Sequence, residues 1–311
     1  MRLPTYNSMI ESQKYNIIVG DCLHAINNDI PLVIPFCCVT SPPYYGLRSY
    51  GVQPTTWNDG SQSCLGEEET PEAYVIHLVE IFHALKGILN DKGSLWLNLG
   101  DSYYDSQMPL GRKENISIGT GIGVGQKMLA NIAKPKKRPK HPILKNKDLI
   151  GIPWRVAFAL QADGWYLRNE VIWNRPNPLP EGHVKDRCHR AHEHLFLLTK
   201  KPIYYFDADA VKENAKDGTL KNRRTVWTVP VGSSTTSHVA IFPEKLIEPC
   251  ILASCPKGET VIDIFSGTAT TGAVALRFGR KYIGIEMNAE HAEESKGRLD
   301  HVLQSMASII D

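Results

Sequence analysis

Short runs of β-branched and aromatic residues alternate along the chain with longer stretches whose apolar positions recur every three or four residues. That alternation predicts strands joined by helices, an α/β fold on a mostly parallel sheet with helices on both faces. Asn16–Val19 reads as a first strand ending in Gly20-Asp21, and Val33–Val39 as a second ending at Thr40-Ser41-Pro42-Pro43. Tyr74–Leu89 carries Val75, Leu78, Val79, Phe82, Leu85 and Leu89 at helical spacing, and Gly93 then precedes a strand at Ser94–Leu99. Val156–Gln161 reads as helix, Glu170–Trp173 as strand and His194–Thr199 as a buried strand. Helix is predicted at Leu246–Ser254 and Ala273–Phe278, and strand at Thr260–Phe265 and Lys281–Glu286. The tail from Ala289 reads as a helix with a solvated, mostly acidic face.

One segment breaks the pattern. Residues from Asp101 to about Lys147 hold no convincing strand, contain Gly119, Gly121, Gly123 and Gly125, and then turn basic. Residues 134–147, KPKKRPKHPILKNK, carry six Lys and one Arg with no acid. A stretch of this length without regular structure is usually functional. The chain as a whole carries a net charge of only +2, so contact with a polyanion has to come from a local patch such as this one. At 311 residues, with 42% hydrophobic and 22% charged positions, disordered, fibrous and low-complexity classes are excluded. Seven cysteines, two of them adjacent and none in a C-x-x-C, indicate neither a disulfide framework nor a thiolate zinc site. The first residues lack the apolar core of a signal peptide and the longest apolar run is too short to span a bilayer. A soluble protein of a reducing compartment is expected.

Two motifs carry chemistry. Val261–Gly272, VIDIFSGTATTG, is a strand running into a glycine turn and then a helix, which brings backbone amides to a nucleoside ligand at the carboxyl edge of a sheet. Glu286 follows Gly267 by 19 positions at the end of the next strand, where a doubly wound sheet places a carboxylate for ribose hydroxyls. Ala269 replaces the middle glycine of the dinucleotide fingerprint, and its methyl is expected to obstruct a pyrophosphate but to tolerate a cofactor without phosphates. The second motif is Ser41-Pro42-Pro43-Tyr44. Its two prolines stiffen the backbone and present carbonyl acceptors, Ser41 adds a side-chain acceptor, and Tyr44 offers a face for a planar ring. That combination suits a planar ligand with an exocyclic NH₂. Two other features point to bland roles. Gly119–Lys127 is not a phosphate-binding loop in sequence, and His189, His192 and His194 have no metal-ligand spacing, so no metal is expected.

S-P-P-Y after a strand, with D-I-F-S-G-T-A-T-T-G far downstream, resembles the amino-group DNA methyltransferases that use S-adenosylmethionine. The motif order, with S-P-P-Y more than 200 residues ahead of the cofactor motif, is similar to the permuted beta subgroup. LWLNLGDSY, GIPWR, GWYLRNE, IWNRPNPLPE, HRAHEHLFLLTK, YYFD and HVAIFPEKLIEPCI fill the interval collinearly, so the resemblance covers nearly the whole chain except about 102–147. It implies a Rossmann-like, mostly parallel sheet with circularly permuted motif order in a single catalytic domain over 1–311, with an inserted basic loop at about 102–147 and a target-recognition segment at about 207–237.

Carried over, the resemblance implies that Phe265, Gly267 and Thr271 line the methionine end of S-adenosylmethionine, with Asp263 supporting the turn. It likewise implies that Glu286 takes the ribose hydroxyls and Asp21 the adenine amino group, and that Phe242-Pro243 covers the cofactor. Ser41, Pro42, Pro43 and Tyr44 hold the target base, which is flipped out of duplex DNA. On this resemblance, Ser41 Oγ and the Pro42 carbonyl would accept the two N–H bonds, the nitrogen would attack the methyl in line, and the cationic product would lose its proton to solvent. From the local charge of the basic run, Lys136, Lys137 and Arg138 are expected to contact DNA phosphates. S-P-P-Y resembles the cytosine-N4 branch; adenine-N6 methylation and a catalytically silent DNA-binding relative are the competing readings. A prokaryotic or phage-encoded cytoplasmic enzyme is expected, with double-stranded DNA as partner. A cognate restriction endonuclease and the oligomeric state stay open.

Overall fold

The computed structural model describes residues 14–30, 33–47, 52–105, 140–178, 181, 184–215, 217–231 and 243–308. The strands are β1 (Tyr15–Val19), β2 (Cys37–Thr40), β3 (Thr55–Thr56), β4 (Gln62–Ser63), β5 (Ser94–Leu99), β6 (Tyr166–Asn174) and β7 (His192–Thr199), followed by β8 (Glu213–Asn214), β9 (Leu220–Lys221), β10 (Val226–Thr228), β11 (Thr260–Asp263) and β12 (Lys281–Glu286). The helices are α1 (Cys22–Asn28), α2 (Pro71–Ile88), α3 (Ile152–Ala162), α4 (Glu244–Ser254), α5 (Thr270–Arg277) and α6 (Ala289–Ala307).

Eight strands form one sheet in the order β1-β12-β11-β2-β5-β7-β6-β10. β7 runs antiparallel to both neighbours, and every other adjacent pair is parallel. Side chains alternate between the two faces as the pleat requires. Cys38, Leu95, Leu97, Ile262 and Phe196 pack toward α1, α2 and α3. Cys37, Val39, Trp96, Val261 and Leu197 pack toward α4, α5 and α6. The expected mostly parallel sheet with helices on both faces is therefore present.

The boundaries differ from the sequence reading where local chemistry intervenes. The strand expected at Val33–Val39 is confined to Cys37–Thr40. Pro35 has no N–H to give a ladder, and the Val33 amide is turned back onto the Ile30 carbonyl. β11 stops at Asp263, because that carboxylate takes the Phe265 amide and turns the chain. α1 was not expected. Asp21 caps it by accepting from the His24 amide, and Cys22, Ala25 and Ile26 form its buried stripe.

The ends of the segment at 102–147 are tied together, with Tyr103 bridging Leu149 and Tyr104 exchanging bonds with Lys147 and Asp148. Within 207–237, β8 and β9 make a small hairpin, whereas Val226–Thr228 belongs to the main sheet and buries Trp227 against Trp96. Those three residues form an edge strand of the sheet, with Trp227 buried and Val226 and Thr228 exposed.

Candidate active site

The parallel strands deliver their carboxyl ends to one edge of the sheet, and the antiparallel β7 begins there. A cavity of about 460 Å³ opens along that edge, within the range of ligand pockets. Gly20-Asp21 enters from the end of β1, Ser41–Tyr44 from β2, Asn98 from β5, Ile264–Gly267 from β11 and Glu286 from β12. Glu193 comes from the start of β7. The two motifs, remote in sequence, meet because β2 and β11 are paired neighbours.

At the β11–β12 end, Glu286 accepts from the Gly267 amide through Oε2 at 2.8 Å and from the Asn288 amide through Oε1 at 2.9 Å. Gly267 takes the left-handed conformation at φ 52, and a Cβ there would meet nothing within 4 Å, so the turn leaves open space beside the carboxylate. Phe265 lines the same end of the cavity. Asp21 lines it too; besides capping α1, its Oδ2 accepts from Thr55 Oγ1 at 2.7 Å.

Asp263 and Thr271 do not line the cavity. Asp263 is buried beneath the turn, where its Oδ1 accepts from Thr40 Oγ1 at 2.6 Å and its Oδ2 from Thr271 Oγ1 at 2.7 Å. Thr271, expected at the methionine end, is fully buried in this brace. Ala269 also differs from expectation. It adopts the left-handed conformation at the head of α5, and its methyl is buried in the core on the α4–α6 face, so it does not obstruct the cavity.

Burial pushes the Asp263 carboxyl up to about 6, against the hydrogen bonds that favour its charge. The folded state thus holds a proton that the unfolded chain has released, between about pH 4 and pH 6. Stability contributed by this group is full below that window and is lost as pH rises through it. A displacement of about two pH units corresponds to about 3 kcal/mol. Asp263→Asn keeps an acceptor for the Phe265 amide, and Thr271 Oγ1 can turn its proton to the Val39 carbonyl, which lies 3.3 Å away. Urea titrations at about pH 4.5 and 7.5 should show the wild type losing stability relative to Asp263→Asn as pH rises.

At the β2 end, Pro42 is buried, while Ser41, Pro43 and Tyr44 are half-buried. The Tyr44 hydroxyl donates to Glu193 Oε2 at 2.6 Å and accepts from Asn98 Nδ2 at 2.7 Å and from Ser41 Oγ at 3.2 Å. Asn98 Nδ2 also donates to Glu193 Oε2 at 2.9 Å, and its Oδ1 is buried without a partner. Arg175 holds the other carboxylate oxygen at 2.9 Å. Burial and the neighbouring Glu193 carboxylate drive the Tyr44 hydroxyl well above its ordinary range, so it stays a neutral donor. The Tyr44 ring lies so close to Gly100 that a Cβ there would come within 2.5 Å of it.

The sequence reading missed Asn98 and Glu193, and it missed the β3–β4 hairpin, whose Thr55 and Trp57 form a further wall. Trp57 is backed by a stacked His77, 4.1 Å between ring centroids, which in turn bonds the buried Glu68. A polar Glu193 ahead of the apolar run Leu195–Leu198 was the visible signal for Glu193, and Asn98 inside SLWLNL that for Asn98. Phe242, Lys136, Lys137 and Arg138 lie outside the described residues.

The sequence pattern of the family described as DNA methylase matches residues 37–297. The chain is 41% identical to the Type II methyltransferase M.Cfr9I of Citrobacter freundii, over 93% of this chain and 89% of that protein. It is 42% identical to the Type II methyltransferase M.SmaI of Serratia marcescens, over 91% of this chain and 90% of the relative. Among solved structures it resembles the cytosine-N4-specific PvuII DNA methyltransferase with a TM-score of 0.63 and 19% identity, covering 94% of each chain. It also resembles M1.HpyAVI in complex with SAM, with a TM-score of 0.55 and 15% identity, over 92% of this chain and 99% of that one. At those identities the structural likeness is one of fold. The sequence likeness goes further, spanning both the S-P-P-Y loop and the glycine turn: this chain belongs to the DNA methylase family.

Proposed function

We propose that this chain transfers a methyl group from S-adenosylmethionine to the exocyclic N4 of a cytosine flipped out of duplex DNA. The observation that carries the reading is the shared cavity into which both the Ser41–Tyr44 loop and the Gly267–Glu286 turn open. A nucleoside ligand held at one end would present its reactive group to a planar base held at the other. The S-P-P-Y sequence and the cytosine-N4 specificity of the PvuII relative in fold support cytosine N4 over adenine N6. The names of the two bacterial relatives support a place in a restriction–modification pair, with a companion endonuclease.

The residues present fit the cofactor. A carboxylate offers about four lone-pair sites, and the Gly267 and Asn288 amides occupy one on each oxygen of Glu286, leaving acceptors for ribose hydroxyls. Asp21 similarly keeps lone pairs for the adenine amino group, and Phe265 and Gly267 form the methionine end. Asp263 and Thr271 act from behind, fixing the turn that these residues stand on. When bound, S-adenosylmethionine supplies a methyl made electrophilic by its sulfonium.

Ser41 Oγ and the Pro42 carbonyl accept from the target amine and hold its lone pair toward the methyl, while Tyr44 supports the ring plane. No nucleophilic side chain is required, since no ring carbon is attacked. The basic run with Lys136, Lys137 and Arg138 is proposed, from its sequence, to contact phosphates. The segment at about 207–237 is proposed to contribute to base reading.

Nucleoside mass analysis of DNA methylated by the protein tests the target: N4-methylcytosine is expected, and N6-methyladenine in its place would overturn the cytosine assignment. Glu286→Ala should weaken S-adenosylmethionine binding by about 1–3 kcal/mol, the scale of lost hydrogen bonds to a charged acceptor. Calorimetry on the folded variant checks this.

A further inference from the structure

The amine product of methyl transfer is born cationic, and the structure offers it something closer than solvent. Ser41 Oγ is within donating distance of the Tyr44 hydroxyl at 3.2 Å and of the Asn98 carbonyl at 3.4 Å, and the Tyr44 hydroxyl donates to Glu193 Oε2 at 2.6 Å. Along the shorter of the two Ser41 bonds, the chain of donors runs from the proposed amine acceptor toward a carboxylate. We propose that Glu193 is the terminal proton acceptor of this relay and the counter-charge for the cationic amine.

The proposal rests on the amino-methylation reading above. Three observations single out Glu193. Its side chain is 12% exposed, which keeps its charge largely out of bulk water and makes its field at the site strong. Arg175 holds Oε1 at 2.9 Å, leaving Oε2 to face Tyr44 and Asn98. Asn98, itself 1% exposed, orients that oxygen through Nδ2 and keeps an unpartnered Oδ1 in the same cluster. A merely structural Arg–Glu pair would not need its second oxygen aimed at the hydroxyl chain.

The transfer balances as follows. The amine lone pair forms the new N–C bond, and the methyl–sulfur bond breaks with its electron pair left on sulfur as a thioether. The nitrogen then carries one positive charge and one proton in excess. That proton passes to Ser41 Oγ as the serine proton moves to Tyr44 and the tyrosine proton to Glu193. The ends are a neutral methylamine and a neutral carboxylic acid, which returns its proton to water after the turnover. The sulfonium charge and the carboxylate charge have cancelled, while Arg175 is unchanged. Glu193 is therefore a positioning residue: it acts on the amine through Tyr44 and Ser41.

Single-turnover methyl transfer to duplex DNA in water and in deuterium oxide tests the relay in wild type, Glu193→Gln, Glu193→Ala and Tyr44→Phe. Proton transfer by a positioned group is typically worth about 10²–10⁴-fold. The three variants should each slow by about 10²-fold with S-adenosylmethionine affinity unchanged, the wild-type solvent isotope effect should vanish, and formate should restore part of the rate of Glu193→Ala. In the ligand-free protein, the short hydroxyl–carboxylate bond should give a downfield proton resonance that Tyr44→Phe and Glu193→Gln both lose.

A Glu193→Gln rate within about threefold of wild type overturns the relay. So does a slowed Glu193→Ala that formate leaves unchanged, which would mark a purely structural pair. If Glu193→Gln does not fold, an undiminished rate in Tyr44→Phe overturns the proposal in its place. A wild type that methylates no DNA amine defeats the underlying functional reading instead, which the variants alone would not.

Discussion

Replacing Tyr44 by alanine will slow single-turnover methyl transfer by at least about 10²-fold and leave S-adenosylmethionine affinity unchanged. Base–aromatic stacking accounts for about 1–3 kcal/mol of that loss. The rest comes from position. The Tyr44 ring is wedged against Gly100, and its hydroxyl is fixed by Glu193, Asn98 and Ser41 at 2.6, 2.7 and 3.2 Å. Alanine removes the ring and releases all three partners, so the amine acceptors lose their registration. Small misplacements of this kind cost about 10²-fold by themselves. Glu286, which the proposed function places on the ribose, lies on a different strand and is untouched, which is why binding should survive. Quench-flow measurement of the first turnover, beside calorimetry of the cofactor, separates the two effects. A wild-type single-turnover rate in Tyr44→Ala would remove Tyr44 from the site.

Asp101→Ala is the substitution with the largest expected effect on stability, a loss of about 3 kcal/mol. Asp101 is buried at the end of β5, and its Oδ1 accepts from the amides of Ser102 at 2.8 Å, Gly151 at 3.1 Å and Ile152 at 3.0 Å. It is the side chain that caps α3, because Gly151 at the helix N-terminus has none to offer. A lost cap costs typically about 1 kcal/mol, and each buried amide left without an acceptor about 1–3 kcal/mol. Asp101→Asn keeps an acceptor oxygen and should lose less than half as much. Urea unfolding of the two variants against wild type measures the difference.

The layers of this fold were legible because burial enforces periodicity. The apolar spacing of α2 places that helix to within three residues, and the mostly apolar runs of β5 and β12 place those strands to the residue. What stayed hidden was direction and long-range pairing. Nothing in HEHLFLLT says that β7 runs against its neighbours, yet that reversal is what brings Glu193 to the edge where the other strands end. The helix α3 cap was hidden for a related reason, since Asp101 lies 50 residues before Gly151. At the site, the S-P-P-Y loop and the Glu286 position could be read from local chemistry. The difference between residues that face the cavity and those that brace it, such as Thr271 and Asp263, depends on which side of the turn each side chain leaves. A motif does not encode that.

The pairing of β2 with β11 has a consequence for the making of the protein. Cys37 and Cys38 meet Val261 and Ile262, and at the sheet's edge Tyr15–Val19 lies along Tyr282–Glu286. A ribosome adding about 5–20 residues per second reaches β11 tens of seconds after it has made β2. Through that interval β2 has one bare flank, and loop closure over so many residues makes its eventual pairing slow. The Ser41–Tyr44 loop is therefore synthesised long before the Gly267–Glu286 turn that completes the cavity. The shared cavity is thus complete only when the last sixth of the chain has been made, so a truncated chain holds one wall of it without the other.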